Sequence, residues 1–574
     1  MPVLACAAVF SVTSCMKDLE KGNISPTVSD YDQSAMFNKC YAGLIMEGND
    51  GSADFTIDDA GKSTLVRNVY NFNELPTDES ICWWSDGGIV ELGQNEYQAG
   101  HASLKFLYYR LMSNITYCNQ YLSVEADYKD GNDERATMYA EVQFLRAYYY
   151  YLMLDFFGDP PFVATISSEK PQQASALQAA SEGVSVDSYS DTERLKKGQL
   201  YMYNWVESQL LDAEKKMKEP SVKKEPTWTS SGEVTNSTGY GRADKAAVWQ
   251  LLSRLYLNAE VYTGTAQWEK AAEYALKVID SPYHLFTGSA SYATNNYTAY
   301  DMLFMGDNGS NGAQCEAVLP LIQDGYITQG WGGSLFFIAT HWDATMATVT
   351  GQGAGTTGNT WSGMRCRKEF VNKFLGDANN YKNMTAKEIR EKLAKSDATK
   401  DDRAIFWSKG HTVEVAPNDA FTEGFASPKW NNNYSTGASP HDSYSVDVDF
   451  MLFRAAEAWL NYAEAEFRLG ETKTAMKYLN QIRERAHARQ YQGESEITLE
   501  EILDERGREL YLEGLRRPDL IRFGQYGGNQ ATYQWEYKGG SVNGVNFDSY
   551  KNVYPLPTSE ISANTNLKQI AGYN

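Results

Sequence analysis

Residues 449–488 read DFMLFRAAEAWLNYAEAEFRLGETKTAMKYLNQIRERAHA. Apolar positions recur at helical spacing through 449–469 and again through 472–488, with Gly470 at the turn between them. Ala463, Ala475, Leu479 and Ile482 alternate small and large side chains. Small residues let two antiparallel helices approach closely and large ones fill the space beside them, as in a tetratricopeptide-like pair. The stretch 242–280 repeats the design. Ala246, Ala247, Leu251, Leu255 and Tyr256 mark a helix over 242–260, and Thr263-Gly264 supplies the turn. Trp268, Ala271, Tyr274, Ala275 and Val278 mark a second helix over 266–280, which stops before Pro282. Two such pairs predict an all-α, tetratricopeptide-like superhelix.

Further helical periodicity covers 30–46, 101–127, 133–157, 198–219 and 498–514. Two tracts break it. Residues 47–100 are rich in Asp, Gly and Asn, and residues 284–448 in Gly, Ser, Thr and Trp. Loops of this length inside a compact domain are uncommon unless they are functional. The chain is therefore expected to be one composite domain over 30–574. Its helical scaffold is assigned to 30–46, 101–283 and 449–524, and its ligand-face loops to 47–100 and 284–448.

The 574 residues carry a formal net charge of −22. Nucleic-acid binding needs clustered Lys and Arg, so this balance excludes it as the main partner, and a neutral ligand is not penalised. Aromatic residues are abundant, with 13 Trp, 39 Tyr and 23 Phe. Most must be core, but a few exposed rings would serve as platforms for the C–H patches of sugars.

Residues Leu4 to Val12 are mostly small or apolar, too short to span a bilayer and fit for the apolar core of an export signal. Val12-Thr13-Ser14-Cys15 follows and is similar to a bacterial lipobox. Residues 1–15 are thus read as signal peptide and lipobox, Cys15 as the lipidated residue, and 16–29 as a tether. Met1-Pro2 lacks the Lys or Arg that opens such a leader, so the natural start is expected to lie elsewhere. Beyond Cys6 and Cys15, five cysteines remain (Cys40, Cys82, Cys118, Cys315 and Cys366), with no CxxC spacing. The pattern is neither a zinc framework nor a dense disulfide scaffold.

Five segments carry a resemblance. The first runs from Ala140-Glu141-Val142-Gln143-Phe144-Leu145-Arg146-Ala147-Tyr148 to Phe157-Gly158-Asp159-Pro160-Pro161. The second is Arg242-Ala243-Asp244-Lys245-Ala246-Ala247 with Leu251 to Leu257, and the third Phe453-Arg454-Ala455-Ala456-Glu457 with Asn461 to Ala465. The fourth is Glu505-Arg506 and Glu509-Leu510, then Glu513-Gly514-Leu515-Arg516-Arg517-Pro518-Asp519-Leu520-Ile521-Arg522-Phe523-Gly524. The last is Tyr554-Pro555-Leu556-Pro557 with Glu560-Ile561 and Asn564. In this order, over residues 30 to the end, they resemble the SusD/RagB family. The resemblance implies an α-superhelix with an irregular ligand face, anchored by lipid on the extracellular side of the outer membrane. It implies a partner, a SusC-like TonB-dependent transporter that the protein caps as a hinged lid, and an oligosaccharide or polysaccharide cargo. Asp58 and Asp59 come from the N-terminal region where family members often place acidic groups at the glycan. The charged residues 505–519 read as ion pairs and caps between helices, not as a catalytic cluster.

Candidate ligand contacts fall in the two irregular tracts. Trp83 and Trp84 sit among Asp and Gly in Asp78–Gly88; neighbours on an extended chain face opposite ways, so one is expected to be buried and one exposed, with the choice open. Trp331 stands between glycines, and Trp342, Trp361 and Arg365 follow, the last with a planar fork of donors. Tyr326 and Tyr434 are further candidates. An enzyme is the weaker reading: a glycosidase needs two carboxylates roughly 5–9 Å apart, but 74 acidic residues make some such pair inevitable. No nucleophile elbow, HExxH, P-loop or Rossmann fingerprint occurs. Peptide or glycoprotein-derived cargo on the same scaffold is the alternative. No cofactor is expected; bound calcium is left open, without an EF-hand pattern.

Overall fold

The computed structural model describes residues 31–48, 60–346, 354–356, 358–417 and 420–573. Two long antiparallel helices, Leu104–Val124 and Glu134–Phe157, form its centre. Asp133 accepts a hydrogen bond from the Ala136 amide and so caps the second helix, and every residue from Ala140 to Phe157 is buried. That helix ends at Gly158, where Asp159 turns the chain: its carboxylate accepts from the Ser175 amide and hydroxyl, each at 2.7 Å.

The scaffold continues through Asp191–Ala213, opened by a Ser190–Glu193 capping box, and through the two expected helix pairs. Lys245–Leu257 and Trp268–Ile279 form one pair, Ala455–Arg468 and Thr472–Arg485 the other. Trp268–Ile279 packs against both Lys245–Leu257 and Ala455–Arg468, so the pairs stack as a superhelix. Gly470 sits at φ 91°, the left-handed conformation that ends a helix without a Cβ penalty. The five cysteines of the described residues are all buried and unpaired, small core residues with no bridge among them.

The tracts read as irregular hold more structure than their sequence suggests. Leu65–Glu74 is a helix with nine of its ten residues buried. Leu65, Val66, Val69, Tyr70 and Phe72 recur at helical spacing, and the Asn residues of the polar side are buried too: Asn68 donates to the Lys62 and Thr64 carbonyls and Asn73 to the distant Gly514 carbonyl. Ser334–His341, Lys368–Leu375 and Ala386–Leu393 are helices within 284–448. Residues 450–454, expected as helix, form a strand antiparallel to Ala317–Leu321, and the helix begins at Ala455.

Charged residues of the C-terminal motif lie in the interior. Arg454 reaches Glu316 (3.0 Å), Glu509 (2.7 Å) and Glu513 (2.8 Å). Arg485 pairs with Glu316 at 2.6 Å and also with Glu509. Arg403 bonds Asp401 and Glu505, and Lys429 bonds Glu513. Removing one member of such a network leaves its partners charged, buried and unpaired, at a cost of about 3–5 kcal/mol. Arg454→Met is expected to lower the denaturant midpoint by that order. Lys215→Ala, which breaks an exposed pair with Asp212, leaves it in place.

Burial pushes the Asp159 carboxyl up to about 7, with Ser175 opposing the shift. A folded-state pKa raised above the unfolded value of 3.8 means that the native state holds the extra proton between these values. This group's contribution is therefore fully present below about pH 4 and is lost as pH rises towards 7. In Tm measurements across that window, Asp159→Asn should show a smaller decline with rising pH than the parent.

Candidate functional site

The N-terminal part of the candidate site is built on Leu65–Glu74 and on the short strand Ser80–Cys82, which pairs antiparallel with Met364–Cys366. The chain leaving that strand carries Trp83 and Trp84 to opposite sides. Trp83 packs edge-on against Tyr537, with ring centroids 4.9 Å apart, beside Ile81 and Val415. Trp84 turns to the cleft. A Cβ at residue 363 would overlap the Trp84 indole nitrogen, and Gly363 lies at φ 109°, so glycine is required there on two counts.

Trp84, Trp331 and Trp361 line one open cleft of about 320 Å³ with Arg67 and Asp86. The Trp84 and Trp361 rings are 6.3 Å apart at 50°, and those of Trp331 and Trp361 6.0 Å apart at 33°. The three indoles thus form a bent apolar wall, of which Trp331 is 48% exposed. Each ring is held from behind. The Trp331 and Gly332 amides donate to the Glu47 carboxylate at 2.9 and 3.0 Å. The Trp361 amide donates to the Ala339 carbonyl at 2.7 Å. The Arg67 guanidinium lies over the Phe336 ring, 4.3 Å from its centroid, and Phe336 meets Trp84 edge-on. Asp86 pairs with Lys62 at 3.3 Å. A flat apolar face edged by a guanidinium and a carboxylate stacks on pyranose C–H surfaces while it donates to and accepts from hydroxyls.

The support beneath is electrostatic. Asp78 is held at about 2: burial raises it, but the Arg516 guanidinium, at 2.7 and 2.8 Å, outweighs that cost. Glu74 accepts from the Gly514 and Leu515 amides, and Glu79 from Leu512 at 2.7 Å. Burial and the mutual repulsion of this pair push Glu74 well above the usual carboxylate range.

Of the described residues singled out from sequence, Trp84, Trp331 and Trp361 meet at the cleft, and Trp83, Trp342, Arg365, Tyr326 and Tyr434 do not line it. Trp342 is 6% exposed and donates its indole N–H to the Trp430 carbonyl, a core position. Arg365 is fully buried; its Nε and Nη1 donate to the Phe421 and Met364 carbonyls, and its Nη2 lies 3.8 Å from the Asp343 carboxylate. Tyr326 stacks on His441, and Tyr434 bonds Asp447. Asp58, Asp59 and Cys15 lie outside the described residues. Arg67 escaped the sequence reading because it sits inside a buried helix; Asp86 lay in the quoted Trp83-Trp84 segment, where nothing distinguished it from its acidic neighbours.

Asp324, His441 and Asp447 place one donor atom each within 4.8 Å of one another, with His441 Nδ1 and the Asp324 carboxylate hydrogen-bonded at 2.8 Å. The surrounding acids also shape the loop leading to Trp331: Asp449 accepts from Gln323, Asp447 from Gly325 and Asp324 from Tyr326.

A sequence model of the SusD family matches residues 304–573. Starch-binding protein SusD of Bacteroides thetaiotaomicron is 35% identical over 99% of this chain and 98% of its own. SusD-like protein P25 of Formosa agariphila is 34% identical over 23% of this chain and 25% of its own. Among solved structures, a SusD superfamily protein of Parabacteroides distasonis superposes with a TM-score of 0.62 at 19% identity, covering 94% of this chain and 98% of that one. Surface glycan-binding protein A of Bacteroides uniformis does so with a TM-score of 0.61 at 18% identity, covering 94% and 99%. The chain belongs to the SusD family, and its all-α superhelical fold is that of the family's solved members.

Replacing Gly363 by Ala is expected to displace the Trp84 ring and to strain the backbone, destabilising by more than about 1 kcal/mol. A changed tryptophan emission spectrum in the folded variant, with a lower denaturation midpoint, is the measurement; an unchanged spectrum would show that the close approach is not needed.

Proposed function

We propose that this protein is a cell-surface glycan-binding protein that captures oligosaccharide or polysaccharide in the Trp84–Trp331–Trp361 cleft. The observation that carries the reading is the bent wall of three indoles with Arg67 and Asp86 at its edge. A bent wall suits a curved chain better than a flat one, and the relative that matches almost end to end is named for starch. An α-glucan is therefore the first cargo to test. The protein performs no chemistry on its cargo in this reading: it holds the glycan and hands it to a SusC-like TonB-dependent transporter, which it caps. Its place is the extracellular face of the outer membrane, through a lipid on Cys15. No described helix is long and apolar enough to cross a membrane. A lipid anchor at the residue before the tether is a means of attachment that needs none.

Isothermal titration of the chain lacking residues up to Cys15, against α-glucans, fructans, β-glucans, xylans, pectins and host glycans, tests this. Trp84→Ala and Trp331→Ala should each weaken binding about tenfold or more, the equivalent of about 1.4 kcal/mol. Trp342→Ala acts on stability and not on the cleft. No binding across the panel would shift the cargo to peptide or glycoprotein.

A further inference from the structure

Beside the tryptophan cleft, and sharing Arg67 and Asp86 with it, lies a second cavity of about 300 Å³. Its volume is at the lower end of the range of about 300–1,000 Å³ typical of small-molecule sites. One wall is Leu65–Glu74, where Arg67 and Asn71, one helical turn apart, face the same side. The opposite wall is the start of Leu104–Val124, with Ser103 and Lys105. The chemistry differs from that of the cleft. No tryptophan lines it; amides, a hydroxyl and ammonium groups stand there beside Ile89, Ala102 and Phe106. Ser103 is held in place by donating to the Gly87 carbonyl at 2.8 Å.

Asn71 supplies the second observation. It is 5% exposed, yet its side-chain oxygen has no hydrogen-bond partner. The side chain lines the cavity, and an amide there can pair with a sugar hydroxyl. The two cavities meet at the Arg67–Asp86 edge, where a glycan lying on the indoles presents its own hydroxyls.

We propose that this cavity is a second, hydrogen-bonding subsite that takes a further hydroxyl-rich sugar unit of the glycan stacked on the tryptophans. The inference rests on the glycan reading of the cleft. The unit is either the next one along the chain or a branch, and both present the same hydroxyl chemistry to Asn71, Ser103 and Lys105. The stacking cleft then supplies most of the affinity for short ligands. The polar subsite makes affinity depend on length or branching, because only a ligand that reaches past Arg67 can use it.

The test is titration of the wild type, Ala102→Trp, Lys105→Ala and Trp84→Ala with linear maltose to maltoheptaose and with a limit dextrin carrying one α-1,6 branch. Ala102 lies exposed at the cavity mouth, so an indole there fills the space without entering the core. The expected result is a wild-type affinity that rises with length or with the branch. Ala102→Trp should then lose about tenfold on the larger ligands while maltotriose stays within about twofold, and Lys105→Ala should lose several-fold on the same ligands. Loss on the linear heptamer assigns the subsite to chain continuation; loss confined to the dextrin assigns it to a branch. Undiminished binding of every ligand by Ala102→Trp, with Trp84→Ala weakened about tenfold or more, overturns the subsite and leaves the cleft standing. Equal loss on short and long ligands at an unchanged Tm overturns it too, as does a wild-type affinity indifferent to size. A wild type that binds no member of the series removes the α-glucan cleft and the subsite together.

Discussion

Burying several full charges in one place constrains everything around them. Glu316, Glu505, Glu509 and Glu513 meet Arg403, Arg454, Arg485 and Lys429 in the interior, and each carboxylate is paired. Such a network tolerates little displacement, because in a low dielectric an unpaired member costs several kcal/mol. Its members come from the strand Phe450–Arg454, the helices Thr472–Arg485 and Leu499–Leu510, and the chain around Arg403 and Lys429. It therefore locks the helix-pair scaffold to the segments that reach the ligand face.

The lock extends to the cleft in short steps. Glu513 is followed by Gly514 and Leu515, whose amides bind Glu74. Arg516 holds Asp78, the Leu512 amide holds Glu79, and the strand that follows leads straight to Trp83 and Trp84. On the other side the acids Asp324, Asp447 and Asp449 tie the base of the loop that ends at Trp331. Ligand aromatics on loops are useful only if the loops are rigid, since ordering them on binding would cost entropy. The charged interior and the backbone-to-carboxylate bonds supply that rigidity.

A good part of this was legible in advance. The helix pairs follow from small–large alternation around Gly264 and Gly470, which is a local property of the chain. The charged residues 505–519 do form ion pairs, as expected, but they lie on two helices and most of their partners, such as Arg403, Arg454, Asp78 and Asp155, come from elsewhere in the chain; Arg508–Glu505 is a pair at helical spacing. The helix Leu65–Glu74 was missed although Leu65, Val66, Val69, Tyr70 and Phe72 recur at helical spacing, because it is short and lies in a tract dominated by Asp, Gly and Asn. Arg67 was hidden with it.

The amino-acid sequence by itself determined the all-α scaffold, the family and the regions from which ligand aromatics could come, because each rests on patterns within one helix or on motifs in fixed order. Which tryptophans share a surface was decided only by the tertiary structure. Trp83 and Trp84 are adjacent, yet one packs on Tyr537 and the other reaches the cleft. Trp342 and Trp361 lie in the same tract read as irregular, yet one is sealed under Trp430 while the other stands between Trp84 and Trp331. An indole becomes a platform or a core residue according to what other parts of the chain place against it, and those contacts come from tens to hundreds of residues away.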